Sequence, residues 1–190
     1  MNLKYSILVL LAFGLILGCT TPPTEEMNKA IEAVTRAGND ADAVLYGAGS
    51  LARARDALTK MQAEANSKRY NAAKTLAGEA IAAADKAIAD GQTGAARASE
   101  EAASLLADLK PMIAETGQSI NSARSKGLVL DYIELGQEFD AARLNTDQAE
   151  IALAGKQYQD ALEKGRNARA GLSDINNKLA AAAFIVSRKK

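Results

Sequence analysis

The sequence predicts an all-α protein: an antiparallel helical bundle or a set of helical hairpins, with about six helices in two similar halves. Apolar residues recur at alternating intervals of three and four, which is the spacing of one helix face. Hydrophobic residues make up 48% of the chain and aromatics only 4%, so much of the apolar content is alanine, the strongest helix former. Because no stretch alternates with period two, we expect no strand.

Residues 1–18 have the pattern of a signal peptide. Lys4 lies in a short polar start, and residues 7–17 are apolar apart from Gly14. An apolar run of this length is too short for a bilayer core, which needs ~20 residues. The run ends at Gly18, directly before Cys19, the single cysteine of the chain.

The stretch Ile16-Leu17-Gly18-Cys19 resembles the lipobox of bacterial lipoproteins. The resemblance implies cleavage after Gly18 and lipid attachment at Cys19, with fatty acids such as palmitate as the anchor. One fatty chain binds a membrane only marginally, whereas two or three hold firmly. Thr20, where aspartate would retain the protein in the inner membrane of enteric bacteria, implies the outer membrane. The alternative is a secreted protein with a free thiol.

Composition argues against several classes of function. Lysine plus arginine and aspartate plus glutamate both number 23, so no nucleic-acid partner is expected. Without histidine, and with its cysteine acylated, the chain lacks the usual ligands of a metal site and the base of a nucleophile–histidine pair. Glu134 and Glu138 lie one turn apart and could form an acid–base pair, but a solvated helix face is the simpler interpretation. We expect no enzyme and no cofactor.

A lipidated tether, residues 19–26, connects the anchor to the first helix. Pro22 and Pro23 keep it extended, and Thr24 is the expected N-cap. The predicted inner face of the first helix is Met27, Ile31, Val34, Gly38, Ala41 and Leu45.

Residues 46–50 interrupt the periodicity, with Ser50 as the expected N-cap of a second helix. Its seam is Leu51, Ala54, Leu58, Met61 and Ala65. After a polar turn at 66–69, the third helix has the clearest seam, formed by Tyr70, Ala73, Ala77, Ala80, Ala84 and Ala87. An alanine seam lets helix axes approach to the short end of the usual ~8–10 Å range.

The segment Thr93–Lys110 either continues the third helix or forms a separate one. Gly91 and Gly94 weaken the helix, and Glu100 with Glu101 then suit a helix start. Pro111 is predicted to kink or end this helix, because proline lacks a backbone N–H.

Two further turns divide the rest of the chain. Lys126-Gly127 closes a helix that starts at Met112, and Gly155-Lys156-Gln157 separates the last two helices. The predicted inner residues of these last two helices are Leu128, Tyr132, Leu135, Phe139, Ala142, Ala149 and Leu153, then Tyr158, Ala161, Gly165, Ala168, Leu172, Ile175, Leu179, Ala182 and Val186.

The two halves, 27–110 and 111–190, look like copies. Ala54 matches Ala142 and Tyr70 matches Tyr158, each at an offset of 88 residues. The alternative is chance matching among abundant alanines. We interpret the pattern as a duplication, because the tyrosines and turns align along with the alanines.

Two family resemblances follow from these motifs. The series Gly155-x-x-Tyr158-x-x-Ala161, then Gly165-x-x-Ala168, resembles the second helix of tetratricopeptide repeats. Residues 27–90 are similar to a family of bacterial envelope lipoproteins with an alanine-rich helical hairpin, classified only as a domain of unknown function. The residues that carry this similarity are Ala48, Leu51, Ala54, Leu58, Tyr70, Ala73, Ala77, Ala80 and Ala84. It implies an envelope location and a helical fold, and no activity.

Together these features lead us to expect a non-enzymatic envelope lipoprotein that acts as a structural or protein-interaction module. A carrier of lipid or peptide is an alternative and would need a cavity of ~300 Å³ or more. A surface adhesin is another. Heptad seams could also pair between two copies as a homodimer. The end Arg188-Lys189-Lys190 suggests either cations at a helix C-terminus, which we favour, or a peptidoglycan link through Lys190.

Overall fold

The computed structural model describes residues 21–188, which form helices joined by short turns. Within that range the helices are α1 (Thr24–Asn39), α2 (Ala41–Leu45), α3 (Ala48–Asn66), α4 (Tyr70–Ser125), α5 (Tyr132–Ala154) and α6 (Tyr158–Ser187). Residues 21–188 contain no strand, so the all-α prediction of about six helices is confirmed. The predicted signal peptide, the lipidation site Cys19, and Lys189 and Lys190 lie outside the described residues.

The chain forms two compact units that divide between Gln92 and Thr93, inside α4. The core of the first unit is mostly alanine, with Met61 as its largest fully buried side chain. The second unit adds buried leucine and isoleucine, including Leu172 and Ile175. The halves predicted from the sequence divide at 110/111, whereas residues 93–110 pack in the second unit, where Leu105 lies against Gly165.

The seams of α3 and of the start of α4 are confirmed. Leu51, Ala54 and Met61 are buried in α3, and the five seam alanines from Ala73 to Ala87 are fully buried. Tyr70 is half-buried at the start of α4. Since alanine has no side chain beyond Cβ, this seam lets α4 pack closely on its neighbours.

The predicted inner face of the first helix is wrong in part, since Val34 is buried and Met27 packs against the core as predicted. The buried residues of α1 are Ala30, Ala33, Val34 and Ala37. Ile31 and Leu45, both predicted to face inward, are exposed. The helix therefore presents its small residues to the core, a face that allows a closer approach than Ile31 would.

Asp40 divides the predicted first helix into α1 and α2. Its carboxylate accepts a hydrogen bond from the backbone N–H of Ala43 at 2.8 Å, which makes it the N-cap of α2. The predicted N-caps Thr24 and Ser50 are also wrong. Pro23 precedes α1, and α3 begins at Ala48, before Ser50, which is buried inside that helix.

The helix predicted to kink or end at Pro111 does not end there. One helix runs from Tyr70 to Ser125, so Thr93–Lys110 continues the third helix and Glu100 and Glu101 do not start a new one. Gly91 does not form a turn; its lack of a side chain allows α4 to contact the backbone of α2 closely. Pro111 is exposed, so the Ala107 carbonyl that it leaves without an intrahelical donor is on the solvent side.

The turns after α3 and α5 have the same backbone structure. Lys68 and Lys156, 88 residues apart, adopt positive φ angles of 58° and 60°. In each turn the next residue donates its N–H to a carbonyl five residues earlier, from Arg69 to Glu64 and from Gln157 to Ala152. The following helices begin at Tyr70 and Tyr158. This pattern repeats the offset predicted from the sequence.

Candidate functional site

Glu134 and Glu138, the possible acid–base pair, both form ion pairs with the same lysine. Lys178 of α6 donates to Glu138 at 2.6 Å and to Glu134 at 3.1 Å. The hydrogen bond to Glu138, and then the one to Glu134, raises the pKa of Lys178 above its usual range. The lysine therefore stays cationic and ties α5 to α6 as an ion pair.

Glu138 has one further feature. Its Oε2 is buried and makes no hydrogen bond within residues 21–188. The side chain lines an open groove of about 260 Å³ together with Asn145, Asn167 and Asp174. Such a groove can hold water, which would supply the missing hydrogen bond.

A groove with mixed charge lies between α4 and α6 in the second unit. Its volume is about 440 Å³, and its lining residues are Arg97, Glu100, Glu101, Ser104, Leu105, Asp108, Arg166 and Arg169. Arg166 donates to Glu101 at 2.6 Å and Arg169 donates to Asp108 at 2.9 Å. Sequence reasoning missed this groove, because its two walls are separated by about sixty residues along the chain.

A second and more apolar groove lies at the end of the same unit, where α4 and α6 terminate. It measures about 690 Å³ and is open to solvent. Its lining residues are Ser119, Ser122, Ala123, Lys126, Leu128, Asn176, Leu179, Ala180, Ala183, Val186 and Ser187. The volume exceeds the ~300 Å³ that a carrier needs, although the groove lies on the surface, beside the buried seams.

In the first unit, Ser50 belongs to a cluster of polar side chains. Its hydroxyl donates to Asp90 at 2.7 Å and accepts from Arg53 at 3.1 Å. Lys86 also donates to Asp90 at 2.8 Å. These two hydrogen bonds, that of Lys86 first, lower the pKa of the Asp90 carboxyl group. The cluster joins α3 to α4.

The residues next to the predicted anchor lie against α4. Thr21, Pro22 and Pro23 line a groove of about 350 Å³ with Tyr70 and Lys74. This contact places the end of the tether beside the turn between α3 and α4. Lys74 also pairs with Glu26 at 2.6 Å, which joins α1 to α4.

Two general features of residues 21–188 bear on function. This part of the chain contains no group of three or more aspartate, glutamate, histidine or cysteine residues that could hold a metal ion. None of its helices has both the length and the apolar character needed to cross a membrane.

Comparison with known proteins gives one result. A family model described as "Domain of unknown function (DUF4398)" matches residues 25–103. The match covers α1, α2, α3 and the first part of α4. The chain is therefore similar over this region to a family without an assigned function, as expected from the resemblance of residues 27–90 to a domain of unknown function. No curated protein and no solved structure gives a match.

Proposed function

We propose that this protein is a lipid-anchored lipoprotein of the bacterial envelope that acts by contact with a partner and not as an enzyme. The observation that carries the proposal is Ile16-Leu17-Gly18-Cys19, with the only cysteine directly after a small residue and an apolar run. The helical units supply contact surfaces. The carboxylates Glu134 and Glu138, the nearest approach to a catalytic pair, are occupied by Lys178.

The anchor is tested by metabolic labelling with radioactive palmitate. The wild-type protein should take up label and fractionate with membranes, because two or three fatty chains hold a protein firmly. Cys19→Ala removes the acceptor sulfur and should abolish labelling. An unlabelled wild-type protein, or a labelled Cys19→Ala variant, would contradict the proposal.

A partner surface is suggested by the outer face of α5. Leu144 and Ile151 lie seven residues apart, two helical turns on one face, and both are exposed. Exposed apolar residues at heptad spacing are typical of a helix that pairs with another helix. The partner in this proposal is either another envelope protein or a second copy in a homodimer.

Site-specific photo-crosslinking in cells tests this surface. A photoreactive amino acid at Ile151 should give a defined adduct, whereas the same group at the exposed Glu163 on α6 should not. Equal products at both positions, or none at Ile151, would contradict a partner on this face of α5. The mass of the adduct distinguishes a second copy from another protein.

One observation favours the carrier as a second candidate function: the groove of about 690 Å³ between the ends of α4 and α6. A bound lipid or peptide should then appear by native mass spectrometry of the purified protein. Ala183→Trp, which places a large side chain in the groove, should remove it. A protein purified without any bound mass argues for the contact module instead.

A further inference from the structure

The last two turns of α6 are apolar on every side and nevertheless exposed. Residues 180–187 carry no charged side chain, and of these eight residues only Ala182 is half-buried. Phe184 is 61% exposed and Ile185 is 57% exposed. Helices that are hydrophobic all round are normally buried in protein or lipid. A covering surface is therefore expected for this helix end.

A second apolar group lies at the same end of the second unit. Val129 in the turn after α4 is 93% exposed, and Ile133 at the start of α5 is 77% exposed. This group lies beside the end of α6, since Leu128, next to Val129, and Val186 line the same groove. We call Val129, Ile133, Phe184, Ile185 and Val186 the apolar tip. It holds five of the ten large apolar side chains exposed in residues 21–188.

The apolar tip is bordered by cations. The Arg188 guanidinium lies 5.5 Å from the centre of the Phe184 ring, and the Arg124 guanidinium lies 5.0 Å from that of Tyr132. Lys126 lines the adjoining groove. Lys189 and Lys190, outside the described residues, follow Arg188 in the sequence.

The acidic groups at this end are already engaged. Asp131 accepts backbone hydrogen bonds from Ile133 at 2.9 Å and Glu134 at 3.0 Å. The carboxylate of Glu134 pairs with Lys178. These carboxylates keep their charge, but four cations (Arg124, Lys126, Lys178 and Arg188) stand against three anions (Asp131, Glu134 and Glu138), so the described residues around the apolar tip carry a net charge of +1.

We propose that the apolar tip is a second membrane contact, which inserts its apolar side chains into the surface of a bilayer that carries anionic headgroups. Apolar residues flanked by lysine and arginine bind such surfaces through buried apolar area and attraction to anionic lipid. The same charges argue against a second copy, since a symmetric contact through the tip would bring two surfaces of like net charge together. The contact is independent of Cys19 and goes beyond the proposed anchor.

Vesicle flotation tests the proposal on residues 19–190 with Cys19→Ser, which keeps every residue that packs in the two cores but removes the lipid acceptor. Vesicles of phosphatidylcholine with phosphatidylglycerol are compared with phosphatidylcholine alone. We expect binding to the anionic vesicles that weakens at high salt. The double variant Phe184→Ser, Ile185→Ser should bind at least about tenfold more weakly. Replacing Lys126 and Arg188 by glutamate should also reduce binding.

The control is the double variant Val44→Ser, Leu45→Ser, which removes two exposed apolar side chains of the first unit and should bind like the parent. Circular dichroism checks that all variants remain helical. Absence of binding to anionic vesicles, or equal losses in both double variants, would overturn the proposal. So would sedimentation showing a dimer that only the Phe184→Ser, Ile185→Ser variant dissociates. Because Cys19 is replaced throughout, failure here leaves the palmitate result unaffected.

Discussion

At Gly91 the absence of a side chain allows a contact between two backbones. A Cβ atom there would lie 2.5 Å from the backbone N of Ala43 and 2.7 Å from the carbonyl carbon of Asp42. Gly47, in the turn after α2, lies similarly close to the backbone carbonyl of Ala87 in α4. These two glycines let α2 and the turn after it lie directly on α4.

We therefore predict that Gly91→Ala destabilises the first unit by about 1–3 kcal/mol, because backbone cannot move aside as a flexible side chain can. Urea unfolding followed by circular dichroism measures the change. Gly78→Ala is the matched control in the same helix, since nothing lies within 4 Å of its Cβ position. It should stabilise by ~0.5–1 kcal/mol through helix propensity alone. Equal effects at both positions would refute the backbone contact.

The carboxyl group of Asp90 offers a test of the link between α3 and α4. Its pKa is lowered, first by Lys86 and then by Ser50, so its stabilising effect is present above the unfolded value and is lost as pH falls through the folded pKa. Lys86→Met should raise the pKa of Asp90 toward its ordinary value of 3.8, and Ser50→Ala should raise it less. Side-chain NMR titration measures both. An unchanged pKa in Lys86→Met would show that the ion pair is not formed in solution.

Among the helices, α4 departs furthest from the rules of local sequence. It continues through Gly91, Gly94 and Pro111 because residues on both sides of each position pack in a core. Leu105 and Leu109 before Pro111, and Ile120 after it, are buried. Tertiary packing thus overrides the intrinsic cost of proline in a helix.

Pro111→Ala should consequently stabilise the second unit, by up to ~3 kcal/mol, since it restores a backbone donor to the Ala107 carbonyl and improves helix propensity. Thermal unfolding followed by circular dichroism checks this. Pro22→Ala, in the segment before α1, is the control and should change stability by less than ~0.5 kcal/mol. A loss of stability in Pro111→Ala would mean that the proline ring makes a packing contact worth more than the hydrogen bond.

The buried face of α1 could not be predicted from the sequence, although the helix itself could. The periodicity of Met27, Ile31 and Val34 correctly indicates a helix. When a helix carries apolar residues on more than one face, its periodicity does not show which of those faces is buried. In α1 the alanine face is buried, because the helices that pack against it are themselves lined with alanine and pack best at short distance.

For the molecule as a whole, the two units share a backbone plan but fill it with different side chains. Ala84 corresponds to Leu172 and Ala87 to Ile175 at the offset of 88 residues, and all four are buried. Ala77 corresponds to Gly165, where a Cβ atom would lie 2.7 Å from Cδ2 of Leu105. The glycine at 165 thus leaves room for the side chain of Leu105.

The turns after α3, α4 and α5 share one backbone feature, a residue with positive φ. Lys68 and Lys156 occupy left-handed backbone conformations, and the equivalent position after α4 is Gly127 with φ 68°. Lys68→Gly and Lys156→Gly should each stabilise the protein by ~0.5–1 kcal/mol, because glycine adopts this conformation without strain. Lys164→Gly, inside α6, should destabilise by about 1 kcal/mol. Guanidinium unfolding of the three variants provides the measurement, and destabilisation by either turn variant would contradict the assignment.

The surface sites required the tertiary structure. The ion pairs of Arg166 with Glu101 and of Arg169 with Asp108 connect helices far apart in sequence. The apolar tip likewise combines residues from the turn after α4, α5 and α6. By contrast, Cys19 was found from local sequence alone, since lipobox recognition depends on four adjacent residues, and it stays a prediction for the palmitate experiment.

By itself, the sequence determined the helical class, the positions of three turns, the 88-residue spacing of two of them, and the seams of α3 and of the start of α4, because each depends on propensity or spacing within a few residues. Only the tertiary structure decided the buried face of α1, the continuity of α4 through Pro111, and the contacts at Gly47 and Gly91. These depend on the shape of whatever packs against a helix, which local periodicity does not encode.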